Sequence, residues 1–240
     1  MRILLIGYGK MGQTIEKIAI ERGHSIVGKI GSKNQQELSS YNSTNTDVAI
    51  EFTLPETAYN NLNYCFNNGI KVICGTTGWL QHKPSADQIC NDHKGAFLYG
   101  SNFSIGVNIF FHINKVLAKI MNNFPQYDVD MEEIHHTQKL DAPSGTAITL
   151  AEGILEGFKS KKQWVNTPSS HTSDLYIKSI REGVVPGTHT TSYRSTIDDI
   201  EIKHTAHSRQ GFALGAVVAA EWIADKTGVF SMEDMLQFNP

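Results

Sequence analysis

Four aliphatic residues, Ile3 to Ile6, run straight into Gly7-Tyr8-Gly9-Lys10-Met11-Gly12. A continuous apolar run of this length suits a strand buried on both faces of a parallel sheet. Beyond the glycines, Met11, Ile15, Ile18 and Ala19 recur at helical spacing and Gly23 ends the pattern. A strand, a G-x-G-x-x-G turn and a helix form the context in which this fingerprint binds a dinucleotide. Gly7 permits the tight turn, Gly9 lets the backbone approach a pyrophosphate, and Gly12 allows the helix to pack closely. The helix start offers N–H groups and partial positive charge to the phosphates.

The same alternation continues. Ser25–Ile30, Val48–Phe52, Lys71–Cys74 and Ala96–Tyr99 read as further strands, and Pro55 suits the first turn of a helix. Strands separated by helices predict a doubly wound α/β sheet of the Rossmann type. The pattern changes after Asn102-Phe103. Ile109, Ile113, Val116, Leu117, Ile120 and Met121 mark a long amphipathic helix, Tyr127 to His136 a strand, and Thr146 to Phe158 a second helix. His171–Arg181, Thr188–Ser195 and Asp198–His204 then follow as strands with no helix between them. That order predicts a second, α+β domain with a mixed, mostly antiparallel sheet. The small-residue helix from Phe212 to Asp225 is expected to return to the first domain. The expected organisation is a dinucleotide-binding domain from 1–103 and 213–240, and a substrate-binding and oligomerisation domain from 104–212.

Composition narrows the function classes. A net charge of -3 gives no reason to expect nucleic acid as a partner. Three cysteines, Cys65, Cys74 and Cys90, form neither a CxxC nor a paired framework, which fits a reducing cytoplasm. The opening apolar run is too short for a signal sequence, and no stretch approaches the roughly 18–20 apolar residues of a membrane span. A soluble, cytoplasmic chain is expected.

Three other segments bear on the cofactor. The carboxylate that grips an adenosine ribose should stand at the end of the second strand, but that region reads Lys29-Ile30-Gly31-Ser32-Lys33. A hydroxyl and the Lys33 ammonium suit a 2′-phosphate and favour NADPH, with NADH possible; a merely solvated Lys33 is the alternative. Gly75-Thr76-Thr77-Gly78 closes a strand at the sheet's carboxyl edge, where a nicotinamide ribose would be contacted. Phe52, within Glu51-Phe52-Thr53-Leu54-Pro55, closes its strand at the same edge and suits the core better than a cofactor contact.

The chemistry is concentrated in Glu133-Ile134-His135-His136-Thr137-Gln138-Lys139-Leu140-Asp141-Ala142-Pro143-Ser144-Gly145-Thr146-Ala147. Reduction of a C=N or conjugated C=C bond needs a hydride donor, a proton donor and a grip on the substrate. Histidine titrates near neutrality and is a natural proton donor. On an extended strand His135 and His136 face opposite sides, so one can be catalytic while the other binds substrate. Lys139 can pair with a carboxylate or assist protonation. Ser144 is a good N-cap, and the amides from Ser144 to Thr146 form an anion cradle. Adjacent histidines lack the usual spacing of metal ligands, and no metal is expected.

Glu133-x-His135-His136-x-x-Lys139-x-Asp141-Ala142-Pro143-Ser144-Gly145-Thr146-Ala147 closely resembles the signature of the dihydrodipicolinate reductases. The N-terminal glycines, Glu51-Phe52-Thr53-x-Pro55-Glu56, Gly75-Thr76-Thr77-Gly78 and Ser101-Asn102-Phe103-Ser104-x-Gly106-Val107-Asn108 resemble the family in the same order. So do Arg181-Glu182-Gly183-x-x-Pro186-Gly187-Thr188 and His204-x-Ala206-x-Ser208-Arg209. The resemblance implies reduction of 4-hydroxy-tetrahydrodipicolinate, or the dihydrodipicolinate it yields on dehydration, in lysine and diaminopimelate biosynthesis. It implies His135 as proton donor or acceptor, Lys139 as a second donor or carboxylate partner, and His136, Gly145 and Thr146 as substrate contacts. Gly100, Ser101, Asn102 and Phe103 would lie against the nicotinamide at a hinge, beside a mobile cleft. The small dicarboxylate substrate would be clamped by Lys139, Arg209 and the Ser144–Thr146 amides, and the assembly would be a homotetramer built through the second domain's sheet. The chain departs from many members in three places: Gly9-Lys10-Met11-Gly12 lacks an extra glycine and an arginine, Leu54 stands where an arginine is common, and no acidic residue follows the second strand. All three touch the cofactor. Two other readings are another two-domain amino-acid dehydrogenase, against which the Asp-Ala-Pro-Ser-Gly-Thr run argues, and a non-catalytic dinucleotide sensor, which would have little use for the His–Lys pair.

Overall fold

A computed structural model describes residues 1–208 and 210–238. The chain divides into two compact units, Met1–Ile105 with Gln210–Pro240, and Gly106–Arg209.

In the first unit, β1 (Arg2–Ile6), β2 (Ser25–Ile30), β3 (Val48–Glu51), β4 (Lys71–Cys74) and β5 (Ala96–Tyr99) alternate with α1 (Lys10–Glu21), α2 (Pro55–Asn67) and α3 (Lys83–Asp92). The sheet has six strands in the order β11-β5-β4-β3-β1-β2, every pair parallel, as the doubly wound expectation requires. The sixth, β11 (Gly228–Phe230), and the five-residue α7 (Met232–Leu236) are too short to show periodicity in the sequence. Side chains alternate across β1. Ile3 and Leu5 enter the core on the side of α1 and α6 (Gln210–Ile223), while Leu4 and Ile6 enter the core on the side of α2 and α3. All four are essentially inaccessible, and each such side chain contributes about 1.5–3 kcal/mol. Helix α6 comes so close that a Cβ on Gly215 would stand 1.7 Å from the Phe103 carbonyl oxygen.

The second unit holds α4 (Ile105–Met121), β6 (Asp128–His135), α5 (Gly145–Gly157), β7 (Gln163–Val165), β8 (Asp174–Arg181), β9 (Gly187–Arg194) and β10 (Asp199–Ala206). Its five strands run β10-β9-β6-β8-β7. The β9 pairings with β10 and β6 are antiparallel and long, and the β8 pairings with β6 and β7 are parallel and shorter, a mixed and mostly antiparallel sheet. Helices α4 and α5 cover one face, with Phe110, Ala118, Leu150, Ile154 and Phe158 packed on Val129, Met131, Leu175, Ile177 and Tyr193. Helix α4 turns a different face inward from its isoleucine stripe. Val107, Phe110, Asn114, Ala118 and Met121 are buried, while Ile109, Ile113, Val116 and Ile120 are exposed. Apart from a polar stripe at Asn108, His112, Lys115 and Lys119 the helix is apolar on more than one side, so periodicity alone could not choose the inner face.

Candidate active site

The glycine turn between β1 and α1 is built for a ligand that contacts backbone. Gly7 takes φ +99°, and a Cβ there would lie 1.8 Å from the Phe52 carbonyl oxygen, so no other residue fits. A Cβ on Gly12 would meet the Gly7 carbonyl oxygen at 2.3 Å, which draws the start of α1 onto the turn. Gly9, the extended N-cap residue, has nothing within 4 Å of such an atom. Its freedom from side chain serves no packing need inside the chain and leaves room for a phosphate to approach the amides of α1. These three environments fit a pyrophosphate.

A cavity of about 280 Å³ lies beside that turn, lined by Met11, Phe52, Thr53, Pro55, Gly75, Thr76 and Thr77. The Thr76 hydroxyl accepts the Thr53 N–H at 2.7 Å and ties the ends of β3 and β4 together. Phe52 does two jobs: its half-buried ring packs on Phe103 at 5.7 Å and lines the cavity. Gly75 lets that ring lie on its backbone, where a Cβ would meet it at 2.2 Å. Tyr8 hydrogen-bonds Glu16, which also pairs with Lys29 at 2.5 Å, and this closes the flank of the turn. Lys10 and Lys33 are exposed, the first at the opening of α1 and the second just past β2. Gly100 and Phe103 are buried after β5, Ser101 is exposed, and the Asn102 side chain accepts the Ser104 N–H at 2.9 Å.

In the second unit, burial alternates along β6, and His135 falls in phase with Val129, Met131 and Glu133 on the covered face. His136 takes the half-buried opposite position. Glu133 is fully buried and organises its surroundings. It accepts the Ser144 N–H at 3.1 and 3.2 Å and pairs with the Arg181 guanidinium at 3.1 Å. Its Oε2 stands 3.3 Å from His135 Nδ1 and 3.7 Å from His189 Nε2. The His135 nitrogen has no well-aligned hydrogen bond, so the 3.3 Å approach is an off-axis charge–dipole contact. Burial would raise the Glu133 carboxyl, but the nearby His135 ring and the donors of Ser144, Ser179 and Arg181 together outweigh it and hold the group well below the usual carboxylate range. His189 is pushed down to about 3 by burial and by His135, and stays neutral.

Arg181 spans from Glu133 to the loop that follows β6, donating to the carbonyls of Lys139 and Asp141. The Lys139 ammonium rests on both Asp141 oxygens at 2.8 Å, and this contact holds the Asp141 carboxyl below its ordinary value. Ser144 caps α5, its hydroxyl accepting the Ala147 N–H at 3.2 Å and standing 3.2 Å from His189 Nε2. The anion cradle is therefore narrower than the sequence suggests. The Ser144 amide serves Glu133, which leaves the first-turn N–H groups of Gly145 and Thr146 for an anion. Arg209 lies outside the described residues.

Glu133, His135 and His189 bring one ligand atom each within 4.8 Å of one another. A dication there would face the Arg181 guanidinium and compete for a carboxylate already held by two donors.

Two family models match the chain: dihydrodipicolinate reductase, N-terminus, over residues 1–103, and dihydrodipicolinate reductase, C-terminus, over residues 106–236. A 4-hydroxy-tetrahydrodipicolinate reductase from Christiangramia forsetii is 52% identical over 236 residues, covering 98% of each chain. The chain belongs to the dihydrodipicolinate reductase family. With it, the chain belongs to the pyridine-nucleotide-dependent reductases. A 4-hydroxy-tetrahydrodipicolinate reductase from Neisseria meningitidis is 34% identical over 231 residues, covering 93% of this chain and 84% of its own. The same fold occurs in a dipicolinate-bound dihydrodipicolinate reductase from Paenisporosarcina sp. TG-14, with a TM-score of 0.81, 22% identity and 98% of each chain covered.

For a reductase of this family, the structure gathers His135, Lys139, Gly145 and Thr146 around one loop, and Gly7, Gly9, Gly12 and the Gly75–Thr77 segment around one sheet edge. Sequence reasoning gave no role to the residues that hold the loop, Glu133, Arg181 and His189, although the first two stand in the motifs that resemble the family. A signal was present for Glu133, since a strand that alternates buried and half-buried places it in phase with His135 on the covered face.

Proposed function

We propose that this chain reduces 4-hydroxy-tetrahydrodipicolinate, or its dehydrated form, to tetrahydrodipicolinate, with NADPH preferred over NADH. The observation that carries the reading is the loop from His135 to Thr146, where an imidazole, an ammonium and two unshared helix-start amides stand together beside a fixed buried carboxylate. A ring with two carboxylates and an unsaturated bond needs those groups. The amides of Gly145 and Thr146 hold one carboxylate. Lys139 leaves Asp141 for the other or for the reacting bond, and His136 supplements the grip. A charge-assisted hydrogen bond contributes roughly 1.5–3 kcal/mol, so two clamped carboxylates fix the ring in one orientation. The reduced nicotinamide supplies hydride when bound. His135 or Lys139 supplies the proton, and from the hydroxylated substrate one water leaves.

In this reading the first unit's glycine turn and the Gly75–Thr77 edge hold the nucleotide, with Lys33 near its 2′-phosphate and Gly100 to Phe103 near its nicotinamide. The second unit holds substrate and assembles as a homotetramer through its sheet. A cytoplasmic setting accords with three buried free thiols.

The test is oxidation of NADPH on adding the product of the upstream synthase. The wild type should turn over, and His135→Gln and Lys139→Ala should each lose roughly 10²- to 10⁴-fold in kcat. Near wild-type turnover in both variants would sink the assignment of roles. Tight cofactor binding without oxidation in the wild type would return the chain to a sensor.

A further inference from the structure

The residues that perform the proposed chemistry are held by one that does not touch substrate. Glu133 is the fully buried carboxylate on the covered face of β6, and four elements converge on it. From β8, Arg181 reaches its Oε1 at 3.1 Å, and Ser179 lies near it. From the start of α5, the Ser144 N–H reaches both oxygens. From β9, His189 Nε2 lies 3.7 Å from Oε2. From β6 itself, His135 Nδ1 lies 3.3 Å from that same oxygen.

Arg181 completes the frame, since it grips the carbonyls of Lys139 and Asp141 while paired to Glu133. The loop is thereby tied at Lys139 and Asp141 through the guanidinium, and at Ser144 directly. His189 is kept neutral by burial, so it adds no second cation beside Arg181. Gly187 leaves the rings their space: a Cβ there would stand 3.0 Å from His135 Nε2 and 3.7 Å from His189 Cε1. A buried ion pair gains little net stability over well-packed apolar residues, so packing alone does not account for Glu133 and Arg181 here.

We propose that Glu133 is a positioning residue for the reduction, holding both ends of the 139–144 loop through Arg181 and the Ser144 amide and fixing His135 as the Nδ1–H tautomer. The chemistry follows from donor and acceptor roles. A carboxylate only accepts and would repel a lone pair, so the imidazole nitrogen 3.3 Å from it is the one that carries the proton, even though the contact lies off the hydrogen-bond axis. That leaves Nε2 as the nitrogen whose proton comes and goes, the division of labour by which a carboxylate orients a catalytic histidine elsewhere. The inference rests on the reductase reading for the meaning of "turnover", but the tautomer is a property of the resting chain.

The first measurement is therefore made on the wild-type protein without substrate. Nitrogen shifts of the labelled histidine rings, with His135 assigned by its loss in His135→Gln, should show Nδ1–H for the neutral ring; an Nε2–H ring overturns the proposal. The second uses Glu133→Gln, which keeps size and one acceptor but presents an amide N–H₂ in place of an oxygen. Its kcat should fall roughly 10²-fold with KM changed only a few-fold and NADPH affinity unchanged, and the His135 tautomers should mix. Should that variant fold poorly because Arg181 is stranded, Glu133→Gln with Arg181→Met removes the lone charge. This pair should regain thermal stability without regaining turnover. Recovery of both would mean that Glu133 serves only to neutralise Arg181, and the proposal would fall. A wild type that binds NADPH but oxidises none fails the reductase reading instead, and leaves the tautomer result to be judged alone.

Discussion

The two units build their sites from opposite materials. The turn after β1 works by absence: Gly7 and Gly12 remove side chains so that backbone can pack, and Gly9 removes one where nothing in the chain would meet it. The loop after β6 works by accumulation, with a carboxylate, a guanidinium, an ammonium and two imidazoles held within a few contacts of one another. A backbone site is fixed by steric exclusion, does not titrate and is written in consecutive residues. A side-chain site is fixed by electrostatics, responds to pH and draws its supports from strands far apart in sequence. Glu133 and Arg181 are 48 positions apart.

The sharpest way to break the contrast is a pair of alanines in the glycine turn. Gly7→Ala forces a Cβ to 1.8 Å from the Phe52 carbonyl oxygen at a φ of +99°, so roughly 3 kcal/mol or more of stability should be lost, read as a drop in the unfolding midpoint. Gly9→Ala sits in extended backbone with open space around it, and its midpoint should not move. Its NADPH affinity should nonetheless fall by roughly tenfold or more, because the methyl occupies the approach to the amides. If Gly9→Ala binds NADPH as well as the wild type does, the backbone account of the nucleotide site is wrong.

That contrast also explains what was legible in the sequence. The doubly wound sheet was, because buried parallel strands are continuous apolar runs and the glycine fingerprint is contiguous. The polar groups of the loop after β6 were legible for the same reason, lying within fifteen consecutive residues. Their supports were not. Nothing local distinguishes Arg181 or His189 from any polar strand residue until β8 and β9 are placed on either side of β6. The Ser144 amide was counted toward the substrate because its partner, Glu133, becomes visible only when β6 and the start of α5 are folded together. Helix α4 was legible as amphipathic but its inner face was not, because apolar residues stand on more than one side, and packing, not periodicity, chose Phe110 and Ala118 over Ile113 and Ile120.

The side-chain site should reveal itself in acid. His189, held at about 3 when folded against an ordinary value of 6.5, binds a proton more readily in the unfolded chain. A histidine lowered by folding gives its full stability above the unfolded value and loses it as pH falls through the window from about 6.5 toward 3. The slope is about 1.4 kcal/mol per pH unit for one proton. Glu133 adds to the loss only below its ordinary carboxylate range, because its depressed group resists protonation while the unfolded one accepts it. Urea unfolding of the wild type should therefore weaken between about pH 6.5 and about pH 4.5, and His189→Gln should flatten that segment. Parallel losses in the two proteins would show that His189 is not the buried neutral group described.

The smallest effect should come from the one part of the proposed nucleotide site that relies on charge. Lys33 is exposed, in a stretch past β2 that lacks the carboxylate expected to grip a ribose hydroxyl. An exposed ammonium facing a 2′-phosphate gains little in high dielectric and is screened by salt. Lys33→Ala should thus weaken NADPH by only about 2- to 5-fold at low ionic strength, leave NADH unchanged, and lose its effect as salt is raised toward about 1 M. Titrations of both nucleotides against both proteins read this directly. Equal affinity of the wild type for the two would sink the 2′-phosphate argument and leave the nucleotide site wholly to its backbone. A salt-insensitive loss in Lys33→Ala would instead mean that the side chain packs on the adenosine, making this end of the site resemble the loop after β6 more than the turn after β1.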